Sequence, residues 1–147
     1  MSADQHVVII GAGHAGGSAA AALRQGGWEG RITIVGDEPE LPYQRPPLSK
    51  GWLKGEETAE SLALRSAKFY GENEIEVRVS ARAETIDRDG RRVTLSDGAA
   101  LAYDYLILAT GSRNRPLPVA GADLGGVLEL RSAAHADVLQ AALQPGK

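Results

Sequence analysis

Apolar residues in this chain fall in short unbroken runs, each closed by glycine, proline or a charged residue. His6-Val7-Val8-Ile9-Ile10 and Arg31-Ile32-Thr33-Ile34-Val35 are continuous and β-branched, the pattern of strands covered on both faces in a parallel sheet. Between them, Ser18 to Arg24 is alanine-rich and helix-prone, and Gly26-Gly27 supplies a stop. These thirty residues have the length of a strand–helix–strand unit, whose crossover is expected to be right-handed.

Glu38 to Pro47 carries four prolines, which remove amide donors and fix φ, so a stiff loop is expected there rather than a regular element. Ser66 is placed to cap a short helix through about Glu72, followed by a strand near Ile75 to Val79. Three more strands are predicted at Ala83–Asp87, Arg92–Leu95 and Leu101–Leu108. Asp89-Gly90 and Asp97-Gly98 between them read as type I′ hairpin turns. An antiparallel meander inserted into a parallel-sheet domain fits this order. The end of the last run, Tyr105 to Ala109, reads as covered on both faces. A final helix is expected from about Ala133 to Leu143, with Ser132 as N-cap and Pro145-Gly146 as its stop.

Composition narrows the class. The 147 residues amount to one domain by length, and 43% hydrophobic with 24% charged residues is globular. Glycine is in excess, at 18 of 147, where about 7% is usual. A net charge of −3 argues against a general nucleic-acid binder. Zero cysteines exclude disulfides, thiolate metal sites and a thiol nucleophile, and fit a reducing cytoplasm. No secretory signal or membrane span of about 20 apolar residues is visible.

The sharpest chemical signal is Gly11-Ala12-Gly13-His14-Ala15-Gly16, a GxGxxG between a strand and a helix. Gly11 permits the tight turn, Gly13 leaves room for a pyrophosphate, and Gly16 lets helix and strand approach. The helix N-terminus then offers free amides to the phosphates. The matching carboxylate belongs about 20 residues on. Asp37, 21 residues beyond Gly16, is the first choice for the adenosine ribose, with Glu38 beside it as the alternative. An acid here disfavours a 2′-phosphate, so FAD or NAD fits better than NADP. Arg45 and Lys50 flank a proline elbow and read either as solvated loop cations or as part of a site. Thr110-Gly111 reads as a second close backbone approach or as an ordinary strand-end turn. His6, His14 and His135 lack metal-ligand spacing. Neither a GxxxxGK[ST] run nor a GxSxG elbow is present.

Together, Val7 to Gly16, Gly27-Trp28-Glu29-Gly30, Val35 to Pro39, Pro42 to Lys50, Leu95 to Gly98, Tyr103 to Gly111 and Leu130-Arg131 resemble the N-terminal FAD-binding part of the ferredoxin and rubredoxin reductase family. The resemblance covers nearly the whole chain. The Arg45-Pro46-Pro47-Leu48-Ser49-Lys50 run joined to Ala109-Thr110-Gly111 is its most selective part. It implies an α/β, Rossmann-like FAD-binding domain of the glutathione-reductase type, a parallel sheet with an inserted antiparallel β-meander. That domain would be incomplete here, because members continue into a second GxGxxG unit for NAD(P)H and a C-terminal domain. Residues 1–147 would then be the N-terminal portion of an FAD/NAD(P)-binding domain.

By the same resemblance, Gly11, Gly13, Ala15 and Gly16 line the pyrophosphate turn and Asp37 holds the adenosine ribose. Arg45 and Pro46 lie along the flavin side, and Lys50 sets its ammonium near the ring as the catalytic residue. Ala83 meets the adenine through its backbone, Thr110 and Gly111 close over the cofactor, and Arg131 reaches it from the far side. The implied activity is electron transfer from NAD(P)H through FAD to a ferredoxin- or rubredoxin-type acceptor, in a soluble protein, with this portion alone not expected to turn over. The other readings are a stand-alone, non-catalytic module for FAD, NAD or ADP and, last, a single-domain NAD dehydrogenase.

Overall fold

The computed structural model describes residues 3–143, which divide into two compact units. The first comprises the chain through Tyr43 together with Ala63–Gly111, and the second Gln44–Leu62 with the stretch from Ser112 onward.

The first unit is built on four parallel strands, β1 (His6–Ile10), β2 (Arg31–Val35), β3 (Ile75–Arg78) and β7 (Tyr105–Leu108), in the order β3-β2-β1-β7. Helix α1 (His14–Gln25) connects β1 to β2, and the short α3 (Ala67–Glu72) precedes β3. On one face of the sheet Val7, Ile9, Ile32, Ile34 and Ile75 bury against Ala20, Trp28 and Tyr70. On the other face Val8, Ile10 and Val35 meet Val93, Leu95 and Leu101 of a three-stranded antiparallel sheet. That sheet is β4 (Ala83–Asp87), β5 (Arg92–Leu95) and β6 (Ala100–Ala102). Three layers result, with the expected βαβ unit and meander both present. Because β1 and the apolar part of β2 are covered on both faces, neither alternates polar with apolar residues.

The caps follow the expected chemistry. The Ser66 hydroxyl accepts from Phe69 N–H at 3.2 Å at the start of α3. Arg24, near the end of α1, donates to four backbone carbonyls: Asn73 at 2.7 Å, Trp28 and Gly30 at 2.7 Å each, and Glu74 at 3.0 Å. One guanidinium thus ties the α1–β2 turn to the turn before β3, where Glu74 has φ of +49°.

Three expectations need correction. The run predicted as one strand, Leu101–Leu108, is two strands in different sheets. Tyr103 and Asp104 break it, and Asp104 N–H donates to the His6 carbonyl at 2.9 Å, turning the chain into the parallel sheet. Next, Tyr105 to Ala109 is covered on both faces only in part, Ile107 and Ala109 packing on one cluster and Leu106 on the other. Among the described residues β7 pairs only with β1, leaving Tyr105 52% and Leu108 64% exposed. Last, neither Asp-Gly pair makes a two-residue turn. Asp87 pairs with Arg92 across four residues whose positive φ falls on Arg91, and Gly90 gives way instead to the Asp87 carboxylate, which accepts its N–H at 2.9 Å. The second connection is a three-residue loop with Gly98 at φ +84°, the type I turn plus bulge geometry.

The second unit holds a 3-10 turn (Pro46–Ser49) in the loop predicted to be irregular, with α2 (Ala59–Leu62) and α4 (Ala133–Ala142). The Ser132 hydroxyl caps α4, accepting from His135 N–H at 3.3 Å. Trp52 donates through Nε1 to Asp137 at 2.8 Å, and Gln140 donates to the Trp52 carbonyl at 3.0 Å. The proposed stop at Pro145-Gly146 lies outside the described residues. Among the described residues no helix is long and apolar enough to cross a membrane.

Candidate functional site

The site assembles at the carboxyl end of β1. Strands β2 and β3 lie to one side of it and β7 to the other, so the strand order reverses there, where open α/β sheets take ligands. Gly11 carries φ of +117°, and a Cβ on it would collide with the Ala109 carbonyl at the exit of β7. Ala109 N–H donates to the Ile10 carbonyl at 2.7 Å and Gly11 N–H to Val35 at 2.8 Å, closing the turn against both neighbouring strands. A Cβ on Gly16 would strike the Gly11 carbonyl, so α1 starts directly against the turn.

Gly13 differs from both. Its φ is −89°, and a Cβ placed on it meets nothing within 4 Å. No contact within the described chain demands glycine at this position. The open space lies where α1 begins, and the helix has neither a side-chain N-cap nor an acidic residue in its first turn. Among the described residues no side chain caps its first amides, and no acid in the first turn competes for them. That is the test a diphosphate poses, and these residues fit it.

The end of β2 reaches the same place. A Cβ on Gly36 would collide with Ala12 Cβ, and Gly36 N–H donates to the Arg78 carbonyl at 2.9 Å. Asp37 follows, exposed and without a side-chain partner among the described residues. Glu38 instead accepts a 2.6 Å hydrogen bond from the Tyr43 phenol. Thr110 and Gly111, both exposed, leave β7 beside Gly11, with Gly111 at φ +68°. Ala15 is exposed in the first turn of α1. Ala83 opens β4, two residues past Ala81, whose N–H donates to the Gly36 carbonyl at 2.8 Å. The first unit thus brings together Gly11, Gly13, Ala15, Gly16, Asp37, Thr110 and Gly111, with Ala83 close along the chain.

The other four expected residues belong to the second unit. Arg45, at the entry of the 3-10 turn, donates to the Arg131 carbonyl at 2.7 Å, and Arg131 Nε donates to Ser112 at 3.1 Å. Lys50 is exposed, its ammonium donating to the Pro46 carbonyl at 3.0 Å and the Ser49 hydroxyl at 3.3 Å. Tyr43 carried no expected role, since a tyrosine in a proline-rich loop gives no periodic or motif signal.

A doubly covered parallel sheet with a glycine turn, an uncapped helix start and a carboxylate at the end of β2 defines a Rossmann-type dinucleotide-binding fold. The chain belongs to the pyridine nucleotide-disulphide oxidoreductase family, whose profile matches residues 5–147. It is similar to rhodocoxin reductase of Rhodococcus erythropolis, 52% identical over 137 residues that make up 93% of this chain and 32% of that protein. It is also similar to a solved ferredoxin reductase from Rhodopseudomonas palustris, with a TM-score of 0.87 and 47% identity over 93% of this chain and 34% of that one. The putidaredoxin reductase of a covalent reductase–putidaredoxin complex matches with a TM-score of 0.86 and 44% identity, over 96% of this chain and 34% of that one. The chain therefore spans about a third of the length of these relatives. With no cysteine in its 147 residues, it holds no redox disulfide.

Proposed function

We propose that this chain binds FAD and forms the flavin-holding portion of an NAD(P)H-dependent ferredoxin reductase. The observation that carries the reading is the open space over Gly13, at an α1 start with no side-chain cap, next to the exposed carboxylate of Asp37. Gly11, Gly13, Ala15 and Gly16 would seat the pyrophosphate, the α1 amides donating to its oxygens. Asp37 would accept from the adenosine ribose hydroxyls, and the Ala83 backbone would meet the adenine. Thr110 and Gly111 would cover the cofactor from the exit of β7. In the second unit Arg45, Pro46 and Arg131 would line the flavin side, and Lys50 would present a fixed positive charge to the ring.

The bound flavin would supply hydride acceptance and one-electron release, chemistry no side chain here provides. The acceptor we assign by likeness is a ferredoxin- or rubredoxin-type protein, and the compartment the cytoplasm. The test is a titration of the purified chain with FAD, read at the flavin absorbance band near about 450 nm. A shifted, saturable band is expected. Binding of NAD or ADP with no flavin uptake would favour the plain nucleotide module instead.

A further inference from the structure

Two carboxylates, Asp37 and Glu38, stand side by side at the end of β2. Sequence spacing alone does not separate them, but the structure treats them differently. Asp37 is exposed with no side-chain partner among the described residues. Glu38 receives the Tyr43 phenol hydrogen at 2.6 Å, the short distance of a charge-assisted bond.

Tyr43 is a fixed donor. It is 5% exposed and forms an antiparallel bridge with Ala63. Its neighbour Pro42 accepts from Leu64 N–H at 2.8 Å. Pro42 also presses on α1 so closely that a Cβ on Gly17 would lie 2.8 Å from the proline ring. The backbone under the acids is anchored as well. Ser80 N–H donates to the Glu38 carbonyl at 2.9 Å, and Ala81 N–H to the Gly36 carbonyl at 2.8 Å. Asp37 sits between these two held carbonyls. Its backbone is fixed on both sides while its carboxylate stays uncommitted.

We propose that Tyr43 is a positioning residue of the adenosine site: by holding Glu38 aside, it commits Asp37 alone to the ribose hydroxyls. This rests on the reading that Asp37 meets the ribose. A carboxylate accepts from both hydroxyls of a diol only if it lies square to them, and a second free carboxylate on the next residue would compete for the same donors and repel the first. The phenol removes that competitor at the cost of one buried tyrosine. The specificity that follows is for an adenosine ribose with its 2′-hydroxyl in place.

The test is calorimetric binding of ADP and of 2′-deoxy-ADP to the full 147-residue chain. The unaltered protein is expected to prefer ADP by about tenfold, as sites built to hydrogen-bond a hydroxyl discriminate against its absence. Tyr43→Phe, which removes the phenol's hold on Glu38, is expected to compress that ratio to within about twofold. Glu38→Ala, which removes the competing carboxylate itself, is expected to keep it near about tenfold and the double variant to restore it, the non-additivity of a coupled pair. A simple loop brace would, when broken, weaken both nucleotides by the same factor. An unchanged ratio in correctly folded Tyr43→Phe, or a ratio compressed in Glu38→Ala or in the double variant, therefore overturns the proposal. Failure of the underlying reading looks different: the unaltered chain would bind both nucleotides equally, and Asp37→Ala would match it. If removal of the phenol impairs folding, Glu38→Ala still decides: a ratio kept near about tenfold supports the proposal and a compressed one overturns it.

Discussion

His6 and Asp104, 98 residues apart, exchange two hydrogen bonds: His6 N–H donates to the Asp104 carboxylate at 2.8 Å, and Asp104 N–H donates to the His6 carbonyl at 2.9 Å. This pairing fastens the start of β1 to the link between the antiparallel and parallel sheets. It is the reason the apolar run 101–108 divides into β6 and β7.

Asp104→Ala removes one of those bonds and leaves the His6 amide without its acceptor. A loss of about 1–2 kcal/mol is expected, as for a partly buried bond to a charged group. Chemical denaturation of the two proteins measures it, and an unchanged midpoint would show that the pairing contributes nothing.

The His6 ring gives stability a pH dependence. It is buried, with Nε2 2.8 Å from the Thr33 hydroxyl, which in turn donates to Glu76 at 3.0 Å. Burial, followed by the charge of Arg31, holds the imidazole pKa below its ordinary 6.5, against the opposing pull of the Ala102 backbone, Glu76 and Asp104. The unfolded chain then binds the proton more readily than the folded one. The stabilisation is fully present above pH 6.5 and declines as pH falls from there toward the lowered folded value. His6→Gln should flatten that part of a stability–pH profile. A slope that survives the substitution would assign it to other groups.

Arg24 is held by four backbone carbonyls, so Arg24→Ala leaves acceptors unpaired at two turns. About 2–3 kcal/mol of destabilisation is expected. Arg24→Lys should restore little, because an ammonium lacks the planar fork that reaches several carbonyls at once. Thermal unfolding of both variants checks this, and full recovery with lysine would mean that charge alone matters.

The glycines of the turn should separate by mechanism. Gly11→Ala drives a methyl into the Ala109 carbonyl at a positive φ and should prevent proper folding. Gly13→Ala meets no protein atom within 4 Å, so its unfolding midpoint should match the unaltered protein while FAD or ADP affinity falls at least about tenfold. Equal affinity in Gly13→Ala would remove the diphosphate from that position.

Lys50 is exposed, and among the described residues its partners are the carbonyl and hydroxyl acceptors of its own turn. Lys50→Ala should leave stability unchanged. If the ammonium lies beside the flavin as proposed, the substitution should lower the midpoint potential of the flavin-loaded protein, because a positive charge there favours the reduced anion. Spectroelectrochemical titration reads the shift, and an unaltered potential would place the ammonium elsewhere.

The βαβ unit, the Ser66 and Ser132 caps and the glycine turn were legible because each depends on neighbours close in sequence. The β6–β7 break was not, since the His6–Asp104 pairing spans 98 residues and leaves no periodic trace. The exposure of β7 was also hidden. An apolar strand reads the same whether one neighbour or two flank it, and only the sheet order tells them apart. Both hairpins were found from their Asp-Gly pairs, but loop length was set by strand register, which the dipeptide does not encode.

By itself the sequence determined the class of this protein: strand, glycine turn, helix and acid at the spacing a dinucleotide demands, and no cysteine for disulfide chemistry. The tertiary structure alone decided how those parts are used. It showed that Gly11 and Gly16 answer to backbone collisions while Gly13 faces open space. It also showed that Glu38 is engaged by Tyr43 while Asp37 is left exposed. The physical reason is one of range. Turn and cap energetics are local, whereas the collision of Gly11 with Ala109 exists only once distant strands have met, and the Tyr43 phenol, five residues from Glu38, is buried in a loop bridged to Ala63.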